Sequence, residues 1–149
     1  MPDCLACQLA TGERHLPGGL IHGTSLWRVE HCIGPLGLGT LIVKPVRHVT
    51  SVGALLDDEA VELGPLLRQT SMIVSQLVNA DQVYNCLWSH AGGEPVHIHY
   101  VIQPVTKEQM SLFGAYGPQL QTAMFSTGSS PGSEEVEQIA KVARLRFSE

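Results

Sequence analysis

Two histidines in the segment His97-Ile98-His99-Tyr100 are the residues of this chain whose types and spacing most directly suggest chemistry. In a β-strand, alternate side chains point to the same face, so His97 and His99 would act at one site. A neutral imidazole is both a common metal ligand and a nucleophile near neutral pH. The spacing therefore predicts a site in which one histidine binds a metal or orients a substrate while the other attacks.

Cysteine is the other residue type with possible metal chemistry, and Cys4-x-x-Cys7 lies at the start of the chain. The first residues lack the basic and apolar regions of a signal peptide. We therefore expect all four cysteines, Cys32 and Cys86 included, to be reduced and the protein to be cytoplasmic. In that compartment a Cys-x-x-Cys pair is more often metal-binding or redox-active than a structural disulfide.

Composition limits the classes of partner. The chain has 149 residues, of which 44% are hydrophobic and only 15% charged, which predicts one domain over residues 1–149 with a single core. Its net charge of −5 argues against binding to nucleic acid polymers. The net charge does not exclude a local basic pocket for a small anionic ligand. No apolar run approaches the roughly 18–20 residues that span a bilayer, so no membrane association is expected.

The hydrophobic patterning predicts an α+β fold, with an antiparallel sheet of about five strands, one long helix packed on it and a C-terminal helix. The long helix is expected over 57–79, kinked or divided at Pro65, and the last helix over 134–147. Residues after Pro104 are predicted to be irregular, with a linker at 126–132. Strands are expected at 25–32, 40–43, 82–88 and 96–102.

The histidine segment resembles the signature of the histidine triad family, His-φ-His-φ-His-φ-φ followed by Pro. With His97 and His99 as the first two histidines, Val101 takes the third position and Pro104 is in register. The alternative register makes them the second and third members, with Pro95 in the first position. We prefer the first register because Pro95 has no atom that could bind a metal.

The resemblance extends to the zinc-containing branch of the family, which has an N-terminal Cys-x-x-Cys and a Pro-x-x-His after the second strand. Here these are Cys4, Cys7 and His48. Together with His97 they imply a closed Cys2His2 set, which would make zinc structural rather than catalytic. The match in element order covers residues 1–104, and residues 105–149 form a C-terminal segment and helix.

The resemblance also implies an activity. The middle histidine of the family attacks the α-phosphorus of a small-molecule nucleotide, such as a phosphoramidate or a dinucleoside polyphosphate, which assigns the nucleophile here to His99. Val101 cannot donate a proton as the third histidine does. Phosphate donors are therefore expected among Ser89, His90 and Gln103, the last lying two residues too far along the strand.

Two alternatives to an enzyme remain from the sequence: a catalytically weak nucleotide-binding module of the same fold, and a zinc-stabilised interaction protein. The family resemblance implies a homodimer. We further expect residues 110–125 and the last helix to complete the substrate pocket. His15, His22 and His31 are expected at the surface or in turns rather than as ligands.

Overall fold

Five strands form one antiparallel sheet in the spatial order β1-β2-β3-β5-β4 in the computed structural model, which describes residues 3–149. The expected α+β fold with a five-stranded antiparallel sheet is confirmed. The predicted strand at 25–32 is the second strand of the sheet, Trp27–His31, and the strand before it was not predicted. The two are joined by a turn at Thr24, whose hydroxyl accepts the N–H of Leu26 and Trp27. The strands are β1 (Leu20–Gly23), β2 (Trp27–His31), β3 (Leu41–Pro45), β4 (Gln82–Cys86) and β5 (Tyr100–Val105).

Five α-helices accompany the sheet, including the expected long helix and C-terminal helix. None of the helices in residues 3–149 combines the length and hydropathy that a bilayer crossing needs. The helices are α1 (Leu5–Thr11), α2 (Asp57–Leu77), α3 (Lys107–Phe113), α4 (Pro118–Thr127) and α5 (Ser133–Phe147), with a short 3-10 turn at Val52–Ala54.

The inner face of the sheet, which carries Val29, Val43 and Ile102, packs against α2 and α5 to form the main core. Strand alternation places these apolar side chains on one face, while Glu30, Ile42 and Val101 point to the opposite, outer face. The helices contribute Leu66, Ile73 and Val74 from α2 and Ala140, Ala143 and Phe147 from α5.

The outer face is partly covered by α3 and α4, where the prediction of irregular chain after Pro104 was wrong. Leu120 and Met124 of α4 pack on Val101 and Val105 of β5 in a second buried cluster. The start signals were present in the sequence. Thr106 and Gln109 form a reciprocal capping box at α3, and Pro118 begins α4.

Pro65 lies within one continuous helix, so of the two expected effects, a kink or a division, the division does not occur. The residue before it, Gly64, has no Cβ to clash with the proline ring. The carbonyl that loses its helical partner belongs to Val61, which is 77% exposed, so solvent can satisfy that oxygen.

Strand β5 begins at Tyr100, so His97 and His99 precede the strand instead of lying within it, and the predicted bounds of 96–102 were wrong. The β3–β5 register pairs Val43 with Tyr100 and, if continued, would bring Pro45 opposite Ile98. Proline has no N–H, so the ladder cannot extend there. The N–H of Ile98 donates instead to the Val49 carbonyl at 2.9 Å.

The loop before β1 lies directly on α5 at Gly18, where a Cβ would come within 2.8 Å of the Ala140 Cβ and φ is +83°. Gly12 has nearly the same φ of +81° but no atom within 4 Å of the corresponding position. We expect Gly12→Ala to cost about 1–2 kcal/mol of unfolding free energy from backbone strain alone. Gly18→Ala should cost about 1–3 kcal/mol more, because it also overpacks the loop against α5.

Urea denaturation of both variants, read by far-UV circular dichroism, measures the difference. Equal losses in the two variants would show that the contact between the loop and α5 does not constrain the folded protein.

Candidate functional site

The four residues of the expected ligand set come together in one cluster. The ligand atoms of Cys4, Cys7, His48 and His97 all lie within 4.8 Å of one another. Cys4 is the residue before α1 and Cys7 lies in its first turn, while His48 follows β3 and His97 precedes β5. The cluster therefore joins the N-terminal helix to two neighbouring strands of the sheet.

The distances within the cluster fit a tetrahedral zinc ion. Zn–S bonds of about 2.3 Å and Zn–N bonds of about 2.0–2.1 Å separate tetrahedral S and N ligands by about 3.5–3.6 Å. The Nδ1 atom of His97 lies 3.5 Å from the sulfur of Cys4 and 3.6 Å from that of Cys7. The Nδ1 atom of His48 lies 3.5 Å from the Cys7 sulfur. Two thiols and two imidazoles at this spacing are a closed donor set that supports zinc.

A backbone carbonyl orients the buried His97 ring, as expected for a metal ligand. Its Nε2–H donates to the Pro45 carbonyl at 2.9 Å, which leaves Nδ1 unprotonated and directed at the cysteines. Burial lowers the pKa of His97, so its neutral, ligating form is favoured. Burial also raises the pKa of the Cys7 thiol, with a further contribution from Cys4. A metal must displace this thiol proton, so its affinity should increase with pH.

A cavity of about 390 Å³ lies beside the metal cluster on the outer face of the sheet. Ile42, Lys44 and Val101 line it from the strands, and Phe125 of α4 closes one side. Phe125 belongs to the segment 110–125 that was expected to complete the pocket, whereas α5 contributes no lining residue within the described chain. The mixture of apolar walls and a few polar groups is typical of small-molecule sites.

His99 lines this cavity, and its imidazole is oriented by the chain itself. Its Nδ1 lies 3.2 Å from the carbonyl oxygen of His97, so Nδ1–H donates and Nε2 keeps its lone pair. The residue is half-buried. The same short segment therefore supplies a metal ligand, His97, and a second imidazole, His99, that lines the cavity.

The three expected phosphate donors are placed differently. Ser89 is half-buried and lines the cavity. His90 points away, is 75% exposed and lies 3.1 Å from the Glu94 carboxylate. Gln103 is fully buried beneath α4, where its amide donates to the Leu36 carbonyl and accepts from Gln121. Ser89 thus lines the same cavity as His99, whereas His90 and Gln103 do not line it.

Glu30 and Lys44 form a buried ion pair in this cavity that was not predicted from the sequence. Their charged atoms lie 2.7 Å apart, and Lys44 also donates to the carbonyl of Ala6 in α1 at 3.2 Å. Glu30 lies in the predicted strand 25–32 and Lys44 directly follows the predicted strand 40–43, where a solvent-exposed side chain would be the usual interpretation. Only the contact with α1, which was not predicted, shows that the pair is enclosed.

His31 also lines the cavity, but it is buried in β2 and not at the surface as expected. Its Nδ1–H donates to the Cys32 carbonyl at 2.7 Å, and its Nε2 accepts the Gly39 N–H at 2.9 Å. The ring therefore closes the loop between β2 and β3 and is neutral. Burial lowers its pKa from the ordinary 6.5.

The unfolded chain binds a proton at His31 more readily than the folded chain does. The neutral ring therefore stabilises the fold fully above pH 6.5, and this stabilisation is lost as the pH falls below 6.5. We expect the unfolding free energy of the wild type to fall more steeply between pH 7.5 and pH 5 than that of His31→Gln, which keeps an acceptor for Gly39 but cannot titrate. Urea denaturation across this pH range checks the difference. Parallel pH profiles would contradict a neutral buried ring.

No family model matches the chain. No curated protein is detectably similar to it in sequence. Comparison with solved structures, by contrast, gives matches that extend over almost its full length. A hypothetical histidine triad nucleotide-binding protein from Sulfolobus tokodaii superposes with a TM-score of 0.73 at 19% identity, covering 97% of this chain and 92% of its own.

Two further structures share the architecture. A zinc-bound histidine triad family protein from Mycobacterium smegmatis has a TM-score of 0.71 at 15% identity, covering 99% of this chain and 96% of that one. Diadenosine triphosphate hydrolase from Plasmodium falciparum, in complex with Cyclomarin A, has a TM-score of 0.64 at 14% identity, covering 87% of this chain and 76% of that one. The chain therefore has the fold of the histidine triad proteins.

Proposed function

We propose that this chain, folded as the histidine triad proteins are, is a zinc-stabilised nucleotide hydrolase or nucleotidyl transferase with His99 as its nucleophile. The observation that carries the proposal is that His99 lines the cavity while its Nδ1 lies 3.2 Å from the His97 carbonyl, which leaves Nε2 as the ring nitrogen without a partner among the described residues. Neighbours of the same fold are named as nucleotide-binding and as a diadenosine triphosphate hydrolase, which supports the substrate class.

The proposed reaction has two steps. The lone pair on Nε2 of His99 forms a bond to the α-phosphorus while the bond from phosphorus to the leaving group breaks, and the leaving group takes up a proton. Water or another acceptor then forms a bond to the same phosphorus and gives up its proton to solvent while the bond from phosphorus to Nε2 breaks, which releases the nucleotide and returns His99 to its neutral form. Hydrolysis and transfer differ only in which nucleophile accepts the nucleotidyl group.

Zinc has a structural part in this proposal. Cys4, Cys7, His48 and His97 would occupy all four tetrahedral positions, which leaves no position for water or substrate. The zinc-bound neighbour from Mycobacterium smegmatis supports this metal. By fixing His97, the ion would also fix the carbonyl that orients His99.

Ser89 is the proposed proton or hydrogen-bond donor to the phosphate or leaving group, because Val101 supplies none and is 8% exposed among apolar side chains. We expect Ser89→Ala to lower kcat about 10–100-fold, as the loss of one donor to a transition-state oxyanion does. Ser89→Thr keeps the hydroxyl and should retain most of the activity. Steady-state kinetics of the two variants decide the matter, since equal losses would point to packing and not to the hydroxyl.

A binding module without useful turnover is the second candidate, and the observation that favours it is Val101 at the position where the family has a donor. General acid catalysis contributes about 10²–10⁴-fold, so its loss could leave binding without chemistry. In that case nucleotides would still saturate the cavity, and no nucleotidyl group would be transferred to His99.

The test is to incubate the zinc-loaded protein with adenosine 5′-phosphoramidate, diadenosine triphosphate and uridine diphosphate glucose in turn. Products are followed by chromatography, and intact mass spectrometry at neutral pH looks for a nucleotidyl adduct on the peptide that contains His99. Turnover with an adduct at His99 supports the enzyme. Saturable binding without adduct or product supports the binding module, and absence of both overturns the proposal.

A further inference from the structure

A second cavity, of about 760 Å³, lies on the other side of α1 from the nucleotide pocket. The two cavities share Leu9, Leu16 and Glu30 in their walls, and Leu9 belongs to α1, which borders both. None of the residues proposed for nucleotide chemistry lines this second cavity.

The second cavity concentrates positive charge in an acidic protein. Arg14, Arg28, Lys141 and Arg144 line it, which is four of the nine lysines and arginines in a chain of net charge −5. They come from three parts of the fold: the loop after α1, strand β2 and helix α5. Like charges gathered from separate elements are costly unless an anion or solvent compensates them.

Ion pairs within the protein do not neutralise these cations. Within residues 3–149, no carboxylate lies within 4.0 Å of any of the four. Arg144 donates to two backbone carbonyls, those of Leu20 at 3.0 Å and of Gly18, which fixes its guanidinium at the wall. A guanidinium has five N–H donors, so several remain for a ligand.

Arg28 has a buried donor atom whose hydrogen-bonding capacity is unused within the described residues. Its Nε is buried and has no hydrogen-bond partner among the described residues. The side chain leans on its cross-strand neighbour Gly23, where a Cβ would lie 3.0 Å from Nη1. A buried charged donor without a partner is unfavourable, and negative charge bound in the cavity that Arg28 lines would offset this cost.

Two acidic side chains also line the cavity, and they do not cancel this charge. Glu30 is already paired with Lys44 at 2.7 Å. Glu137 is exposed one turn before Lys141 on α5 and forms no ion pair within 4.0 Å in the described chain. After subtracting the charge of Glu137 from the four cations, the cavity wall has an excess of about three positive charges.

We propose that this second cavity is a binding site for a small molecule that carries a diphosphate or two neighbouring phosphate groups. The excess of positive charge exceeds what one phosphate monoester would neutralise, and guanidinium groups are well suited to phosphate oxygens. The site is independent of the nucleotidyl chemistry proposed for His99, and its occupant would contact the opposite side of α1.

Inorganic pyrophosphate is the probe for this proposal. It is titrated at constant ionic strength into zinc-loaded, ¹⁵N-labelled protein, and the Nε–H resonance of Arg28 is followed by NMR. We expect a saturable shift of that resonance. Lys141→Gln should raise the Kd on the order of tenfold and Glu137→Gln should lower it about threefold, because each changes one charge at the cavity wall.

Both substituted side chains are exposed, so neither change should affect folding. The matched control is Lys107→Gln on α3, which removes one charge from a side chain that is 81% exposed and lies outside this cavity. Its Kd should stay within about twofold of the wild type. Equal weakening by Lys107→Gln, no shift at Arg28, or shifts confined to residues around Ser89 and His99 would each overturn the proposal.

Discussion

His99→Ala is expected to reduce turnover of any nucleotide substrate by about 10⁴-fold or more, because losing a covalent nucleophile removes the intermediate and not merely a contact. Substrate binding should change much less, since the cavity walls and the Glu30–Lys44 pair remain. The result is therefore expected as a loss in kcat with a nearly unchanged KM. Steady-state kinetics on the substrate found by the panel measure it.

Two controls separate this effect from damage to the fold. His90→Ala removes an imidazole from the neighbouring loop that is exposed and outside the cavity, and it should retain activity within about threefold. His99→Ala itself should still bind one zinc and melt within a few degrees of the wild type. Retention of more than about one per cent of wild-type kcat by His99→Ala would exclude His99 as the nucleophile.

Cys7→Ser is expected to abolish stoichiometric zinc binding and to lower the melting temperature by about 10 °C or more. The cluster ties α1 to the segments after β3 and before β5, and α1 has no buried residue of its own to replace that link. A helix of seven residues is too short to be stable without tertiary contacts. Zinc content by mass spectrometry and a thermal melt by circular dichroism measure the two effects.

Cys86→Ser is the matched control, because that thiol is half-buried, lies outside the cluster and contacts only the Gln121 amide among the hydrogen bonds described. It should bind one zinc per chain and melt close to the wild type. If Cys7→Ser also kept one zinc with an unchanged melting temperature, the cluster would not be a structural metal centre.

The metal cluster was predictable from the sequence because its residue types are rare and their spacing is distinctive. Cys4-x-x-Cys7, His48 after Pro45, and His97 need no knowledge of packing to be grouped through a family resemblance. The cluster of ligand atoms agrees with the register that makes His97 a ligand and leaves Val101 at the third position.

Gln103 shows why the rest could not be predicted. It lies on the same face of β5 as Val101, and alternation alone places it toward a substrate. The structure buries it because α4 packs over that end of the strand, with Gln121 bonded to its amide. The role of an outer-face residue therefore depends on which helix covers it, and the weak apolar patterning of residues 118–127 did not reveal that helix.

His31 shows the same limit on the inner side of the loop between β2 and β3. A histidine near glycine-rich chain is usually exposed, and nothing in the local sequence indicates that its two nitrogens serve Cys32 and Gly39. Long-range geometry decides such positions. The sequence pattern could identify the strands that bring them together, but not the bonds that are made there.

The contact between the loop before β1 and α5 joins segments that are made far apart in time during synthesis. Arg144 bonds to the carbonyls of Gly18 and Leu20, about 125 residues earlier, and Ala140 and Ala143 are fully buried in the main core. A ribosome that has made β1 to β5 has therefore produced a sheet whose edge strand has no helix to cover it. All four zinc ligands have been synthesised once His97 emerges, so the metal can bind before α5 docks. Bound zinc would then stabilise the partly made sheet until α5 is available.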